Sequence, residues 1–216
     1  MRTIWGAAIA FLMLCSAAAA SAPHYNPSQS DHPNMATFGA TSMPYGYYGY
    51  CQRYADRCDR KPEGTTIELT RPAWSDIVRV NAEVNSIPAF TDMEIYGVEE
   101  FWEYPTTAAD CEDYALLKRQ RLNEIGYPLG ALLLTTARDS RGGGHAVLTV
   151  VTTLGDFILD NLEQKVLLWS DAKIYFLKRQ SQRNLNQWVS LRTDEEFLIS
   201  SGNSQAPSTA ATNVKK

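Results

Sequence analysis

The chain has 216 residues, 44% of them hydrophobic, and a formal net charge of −4. That is enough apolar material for one real core, and a mildly acidic balance with no basic block argues against a nucleic-acid-binding protein. Only three histidines and four cysteines are present, so a site needing imidazole or thiol chemistry has few residues to draw on.

Residues 1–20 read as an export signal. Arg2 gives a positive start, residues 4–15 are mostly small or apolar, and residues 16–20 supply a small-residue cleavage region, with cleavage expected after Ala20 or Ala22. The apolar run falls short of the ~20 residues of a membrane span, and Leu14 is too large for lipoprotein processing at Cys15. The mature protein is therefore expected to be periplasmic or secreted. Processing leaves Cys51, Cys58 and Cys111, and an odd count in an oxidising compartment leaves one thiol unpaired. Cys51 and Cys58 are close enough in sequence to form a disulfide, which makes Cys111 the free thiol; the alternative is three free, buried cysteines. No Cys or His cluster lies near the pair to suggest zinc.

Residues 21–50 are rich in Ser, Pro, Gly, Tyr and Asn and read as an irregular arm, with the tyrosine-rich run at 45–50 packed along the domain surface. The folded domain is expected over 51–198, followed by a disordered Ser/Ala/Asn-rich tail at 199–216. Its first long helix follows Pro72 with Ser75 as cap. That helix carries Ile77, Val80, Val84 and Ile87 on one face and ends at Pro88. Asn81 and Asn85 are one turn apart and either reach a site or are solvated. Trp102, Tyr104 and Pro105 form an aromatic approach to Cys111. The next helix starts near Cys111 and stops at Gly126-Tyr127-Pro128. Cys111, Ala115, Leu122 and Ile125 share one face of it, interrupted by Lys118. Strands are expected at 131–137, 145–153 and 157–160, then near 173–178 and 188–191. The result is an α+β domain, with the helix that carries Cys111 packed on an antiparallel sheet.

The chemistry centres on Asp110-Cys111-Glu112-Asp113-Tyr114. A helix start lowers a thiol's pKa through the dipole and unpaired N–H groups, and those groups can hold a developing oxyanion. His24 and His32 lie in the arm, so His145, after Gly142-Gly143-Gly144, is the only histidine of the domain, and Asp160 closes a short apolar strand. Cys, His and Asp on a helix start and two successive strands follow the order of a papain- or transglutaminase-like thiol enzyme. Cys111 would be nucleophile, His145 base and Asp160 the acid that orients it. The bland alternative is a buried cysteine, a strand histidine and a loop aspartate. Asp110, Glu112 and Asp113 would oppose a thiolate. They are either first-turn acids that favour the helix dipole or ligands of a divalent cation. Several oxygen ligands suit calcium better than zinc, though no EF-hand pattern is present.

Three motifs carry a resemblance: Asp-Cys-Glu-Asp-Tyr-Ala at 110–115, Gly-Gly-His-Ala-Val-Leu at 143–148 and Leu-Asp-Asn-Leu at 159–162. With the Val80-Asn81 and Val84-Asn85 pairs and Trp102, they resemble the bacterial transglutaminase-like cysteine proteinases over residues 70–192. That family includes the calcium-dependent periplasmic protease of LapG type, which releases a biofilm adhesin. The resemblance implies the same three catalytic roles, a calcium ion at Asp110, Glu112 and Asp113, and a protein substrate such as a surface adhesin. It also points to an inner-membrane receptor controlled by cyclic-di-GMP as a regulatory partner, although no motif here carries that partner. The tyrosine-rich arm and the Cys51/Cys58 pair fall outside the family pattern. Two other activities use the same fold: acyl transfer to an amine by a transglutaminase or amidase, and binding without catalysis.

Overall fold

The computed structural model describes residues 32–193; the signal at 1–20, the first part of the arm and the tail at 199–216 lie outside them. In chain order the elements are β1 (Ala40–Thr41), α1 (Tyr45–Arg53), α2 (Ala55–Cys58), α3 (Arg71–Asn85), α4 (Asp92–Tyr96), α5 (Cys111–Glu124), β2 (Leu132–Arg138), β3 (Gly144–Thr152), β4 (Gly155–Leu159), β5 (Leu167–Leu168), β6 (Tyr175–Gln180) and β7 (Trp188–Ser190). The strands form one sheet in the order β1-β7-β6-β2-β3-β4-β5, antiparallel at every step. This is the α+β architecture the sequence implies. The five longest strands lie within about two residues of their expected spans, the normal uncertainty at element ends. Among the described residues no helix is long and apolar enough to cross a membrane.

β3 is buried continuously from His145 to Thr152, because both of its faces are covered. α3 and α5 pack on one face. On the other, Val147 and Ile158 meet Met35, with Trp169, Phe176 and Leu191 around them. β3 therefore reads as an unbroken apolar run rather than an alternating one.

α3 starts earlier than expected. Thr70, not Ser75, is its cap: the Thr70 hydroxyl accepts the Ala73 N–H at 3.3 Å. Pro72 sits in the first turn, where its missing N–H has no helical partner to lose. Ile77, Val80 and Val84 are buried as their spacing requires. On α5 the expected face holds for Ala115 and Leu122, but Ile125 is 48% exposed while Lys118 is wholly buried.

The arm reading fails over residues 40–50. Ala40 pairs with Val189 at the sheet edge, and α1 begins at Tyr45. Tyr47 and Tyr50 are completely buried, not laid on the surface. The Tyr47 ring stands edge-on to Trp102 at 5.6 Å and to Trp188 at 5.5 Å. Two tyrosines three residues apart share a helix face, but glycine at every third position disguised the helix. Gly46 has a packing reason: a Cβ there would fall 2.3 Å from Trp102 Cδ1. Trp102 is thus a core residue and not part of an approach to the thiol. Tyr104 is likewise engaged with the arm, its hydroxyl 3.3 Å from that of Tyr50. The Cys51–Cys58 disulfide, with Cα atoms 5.6 Å apart, ties α1 to α2, and Cys111 is the free thiol among the described residues.

Candidate active site

Asp110 has extended backbone and caps α5, so Cys111 is the first helical residue. Asp110 Oδ1 accepts the Cys111 N–H at 2.7 Å, and Asp113 Oδ2 reaches back to the Asp110 N–H at 3.3 Å. This reciprocal cap fixes the first turn. It also occupies the Cys111 N–H, one of the groups expected to be open for an oxyanion. The Cys111 residue is half-buried, and its thiol donates to Glu112 Oε2 at 3.2 Å. Burial pushes its pKa well above the usual range. The charges of Glu112 and Asp110 add to this, and the Ala146 N–H acts the other way. That N–H belongs to the residue after His145, so the start of β3 lies beside the thiol.

His145 and Asp160 meet across the sheet. β3 and β4 are antiparallel neighbours, with Leu148 opposite Leu159. That register carries the start of β3 alongside the residue that follows β4. His145 Nε2 lies 2.8 Å from Asp160 Oδ1, and both side chains are buried. Leu162 donates its N–H to the same oxygen at 2.9 Å. Burial would raise the Asp160 carboxyl, but the His145 hydrogen bond and charge, the Leu162 N–H and the Lys118 charge hold it below the usual range. The Asp160 carboxylate engages Nε2, and Nδ1 is the ring nitrogen it does not engage. Asn81 and Asn85, whose placement was open, both point inward. Asn85 Nδ2 donates to the Asp160 carbonyl at 2.8 Å and Asn81 Nδ2 to the Gln164 carbonyl at 3.2 Å.

The acidic residues divide into two overlapping groups. Carboxylate oxygens of Asp92, Glu112 and Asp113 lie within 4.8 Å of one another and all three residues are buried; Asp110, Cys111 and Glu112 form the second group. Asp92 is the member that sequence reading missed. It is 1% exposed. Its N–H bonds to Asp110 Oδ2 at 3.1 Å, its Oδ2 accepts the Phe101 N–H, and its Oδ1 has no partner among the described residues. The available signal was Thr91-Asp92-Met93-Glu94, a capping box that starts α4. Burial pushes Glu112 up to about 9, with Asp92 next in effect. Burial pushes Asp113 up to about 7, with the charges of Asp92 and Asp110 adding and N–H bonds from Glu103 and Asp110 opposing. Asp92 is raised as well, again first by burial. The donor set is oxygen-rich, buried and short of positive charge, with one orphaned carboxylate oxygen. Those properties fit a hard divalent cation.

A thiol at a helix start, backed by a His–Asp pair on an antiparallel sheet, defines the papain/transglutaminase class of thiol enzyme. The family model for the bacterial transglutaminase-like cysteine proteinases matches residues 37–196, and the chain belongs to that family. It is a cysteine peptidase of transglutaminase-like type. Among solved structures, calcium-bound Legionella pneumophila LapG is 27% identical over 56% of this chain and 70% of its own, with a TM-score of 0.48. A second structure of the same protein is 26% identical over 62% and 77%, with a TM-score of 0.49. An EGTA-treated form is 27% identical over 56% and 68%, with a TM-score of 0.48. No curated protein matches the chain by sequence.

Proposed function

We propose that this peptidase is an exported endopeptidase that cleaves a protein chain through Cys111, His145 and Asp160, supported by calcium at Asp92, Glu112 and Asp113 with Asp110 beside them. The observation that carries the reading is the 2.8 Å His145–Asp160 contact, made on the strand whose next N–H faces the thiol. Asp160 fixes the imidazole by Nε2 and favours its charged form. His145 takes the Cys111 proton, and the thiolate attacks the substrate carbonyl carbon. The imidazolium then returns the proton to the leaving amine, and an acyl thioester remains. His145 next deprotonates a water that attacks the thioester, releasing the acid and restoring the thiol.

Calcium would supply positive charge beside carboxylates that otherwise disfavour a thiolate. The Asp92 Oδ1 without a partner and the all-oxygen donors of Asp92, Glu112 and Asp113 support that assignment. Export, to the periplasm or beyond, is supported by the signal-like start and by the Cys51–Cys58 disulfide. The resemblance to LapG-type proteases makes a surface adhesin the substrate to test first and an inner-membrane receptor the regulator to test. Mass spectrometry of periplasmic and surface proteins from cells with wild type or Cys111→Ala is the experiment. Cleavage products that depend on Cys111 are expected; identical fragment profiles would refute the reading.

A further inference from the structure

Arg119 sits on α5 eight residues after Cys111, about 12 Å along the helix, and only 4% of it is exposed. A charge taken out of water without a counter-charge is unfavourable, so a buried guanidinium normally faces a carboxylate. Among the described residues Arg119 forms no ion pair. Its Nη1 donates to the amide oxygen of Gln180 at 3.1 Å, and its other partner is the Tyr47 hydroxyl. Gln180 is itself fully buried. Its Oε1 also accepts the Leu134 N–H at 3.0 Å, and its Nε2 donates to the Leu185 carbonyl at 2.8 Å and the Tyr47 hydroxyl at 3.0 Å. This amide therefore aims Arg119 and does not neutralise it.

Arg119 borders a cavity of about 110 Å³, whose lining also includes Arg57, Arg60, Tyr104, Gln120 and Asn123. Three guanidinium groups converge there, and among the described residues no carboxylate lines the cavity, although the chain carries a net charge of −4. The Arg57 guanidinium carbon lies 4.5 Å from the Tyr104 ring centre and 4.8 Å from that of Tyr54. Aromatic groups thus orient this cation without cancelling its charge. Arg57 directly precedes Cys58, so the Cys51–Cys58 disulfide ties its segment to α1. The acids on the flanking segments are engaged elsewhere. Glu103 accepts the Tyr54 hydroxyl at 2.7 Å and lies 3.8 Å from Arg53. Glu124 accepts Gln120 Nε2 at 2.8 Å and Arg121 at 3.4 Å. Asp59 accepts Asn186 Nδ2 at 3.3 Å, and Asp56 is exposed.

We infer that this cavity is a binding site for one phosphate group, held by Arg57, Arg60 and Arg119. Guanidinium groups match tetrahedral oxyanions through paired N–H bonds. Three converging cations favour phosphate, which carries up to two negative charges, over a carboxylate with one. The cavity is smaller than the ~300–1,000 Å³ of sites for drug-sized molecules, which suits a single phosphate group and not a whole nucleotide. A free phosphate ion and the headgroup of an anionic phospholipid share this chemistry. The site uses neither the triad nor the acidic cluster, so it stands independently of the catalytic reading.

The test is calorimetry and thermal unfolding of the mature, disulfide-bonded protein. Sodium phosphate is titrated against sodium chloride of equal ionic strength, with calcium kept below the level that phosphate precipitates. In a second arm the protein is sedimented with phosphatidylglycerol vesicles, with phosphatidylcholine vesicles as the control without net charge. Saturable binding of one phosphate per chain, with a rise in melting temperature beyond that in chloride, identifies the free ion. Binding to phosphatidylglycerol alone identifies the headgroup. In either arm the double variant Arg57→Gln, Arg60→Gln should weaken binding by roughly tenfold or more. Arg57 is half-buried and Arg60 exposed, so the fold should tolerate both changes. Arg79→Gln, on the exposed face of α3, should leave binding unchanged. No binding in either arm, undiminished binding by the double variant, or an equal loss in Arg79→Gln would overturn the inference.

Discussion

Removing divalent cations should make the stability of this protein fall as pH rises through neutrality. Glu112 and Asp113 are 5% and 0% exposed, and in the fold their pKa values are raised from the ordinary 4.5 and 3.8 to about 9 and about 7. The folded state therefore holds protons that the unfolded chain has already released. The stability those protons contribute is fully present below the unfolded values, near pH 4. It is lost as pH climbs through about 7 for Asp113 and about 9 for Glu112. Each proton held only by the fold contributes a slope of about 1.4 kcal/mol per pH unit. Between about pH 5 and pH 8 the two residues together should remove on the order of 3–6 kcal/mol, a large share of a domain's stability. At roughly 2–4 °C per kcal/mol for a domain of this size, the melting temperature should drop by about 10 °C or more in EGTA. Calcium at one hundred times its Kd should restore about 2.7 kcal/mol and flatten the dependence, because the carboxylates are then ionised at every pH in the range. The assay is thermal unfolding followed by circular dichroism from pH 5 to pH 8, in EGTA and in calcium. A metal-free protein with the same melting temperature at both ends, unmoved by calcium, would show that these are ordinary helix-start acids and that the cation assignment is wrong.

Cys111→Ala should abolish proteolysis and leave the melting temperature within a few degrees of wild type, since a small residue at a partly exposed helix start changes stability by about 1 kcal/mol or less; proteolysis by the purified variant would contradict the nucleophile assignment. Replacing both Cys51 and Cys58 by Ser should cost roughly 2–3 kcal/mol in denaturant unfolding, and thiol labelling of the untreated mature protein should modify Cys111 alone. Gly46→Ala should cost roughly 1–3 kcal/mol, because its new Cβ would lie 2.3 Å from Trp102 Cδ1; a variant as stable as wild type would mean that α1 is not fixed against Trp102 as described.

What could be read from the sequence was what short-range chemistry decides. The run from Asp110 to Asp113 announces a capped helix start, because a cap and its acids act within one turn. The long strands showed in their apolar runs and Gly-rich turns. α1 and Asp92 were hidden for one shared reason, that long-range contacts settle both. Tyr47 and Tyr50 are core residues only because Trp102 and Trp188 close over them, and no local pattern in a Gly/Tyr-rich arm indicates such a closure. Asp92 joins the site from eighteen residues upstream, through its N–H bond to Asp110. In the sequence it looks like any first-turn acid of a short helix. Lys118 is the converse case. It was visible as a break in an apolar face, but a break has two outcomes: the face turns out to be partly solvated, or a charge is buried. The packing of α5 between α3 and the sheet selects the second.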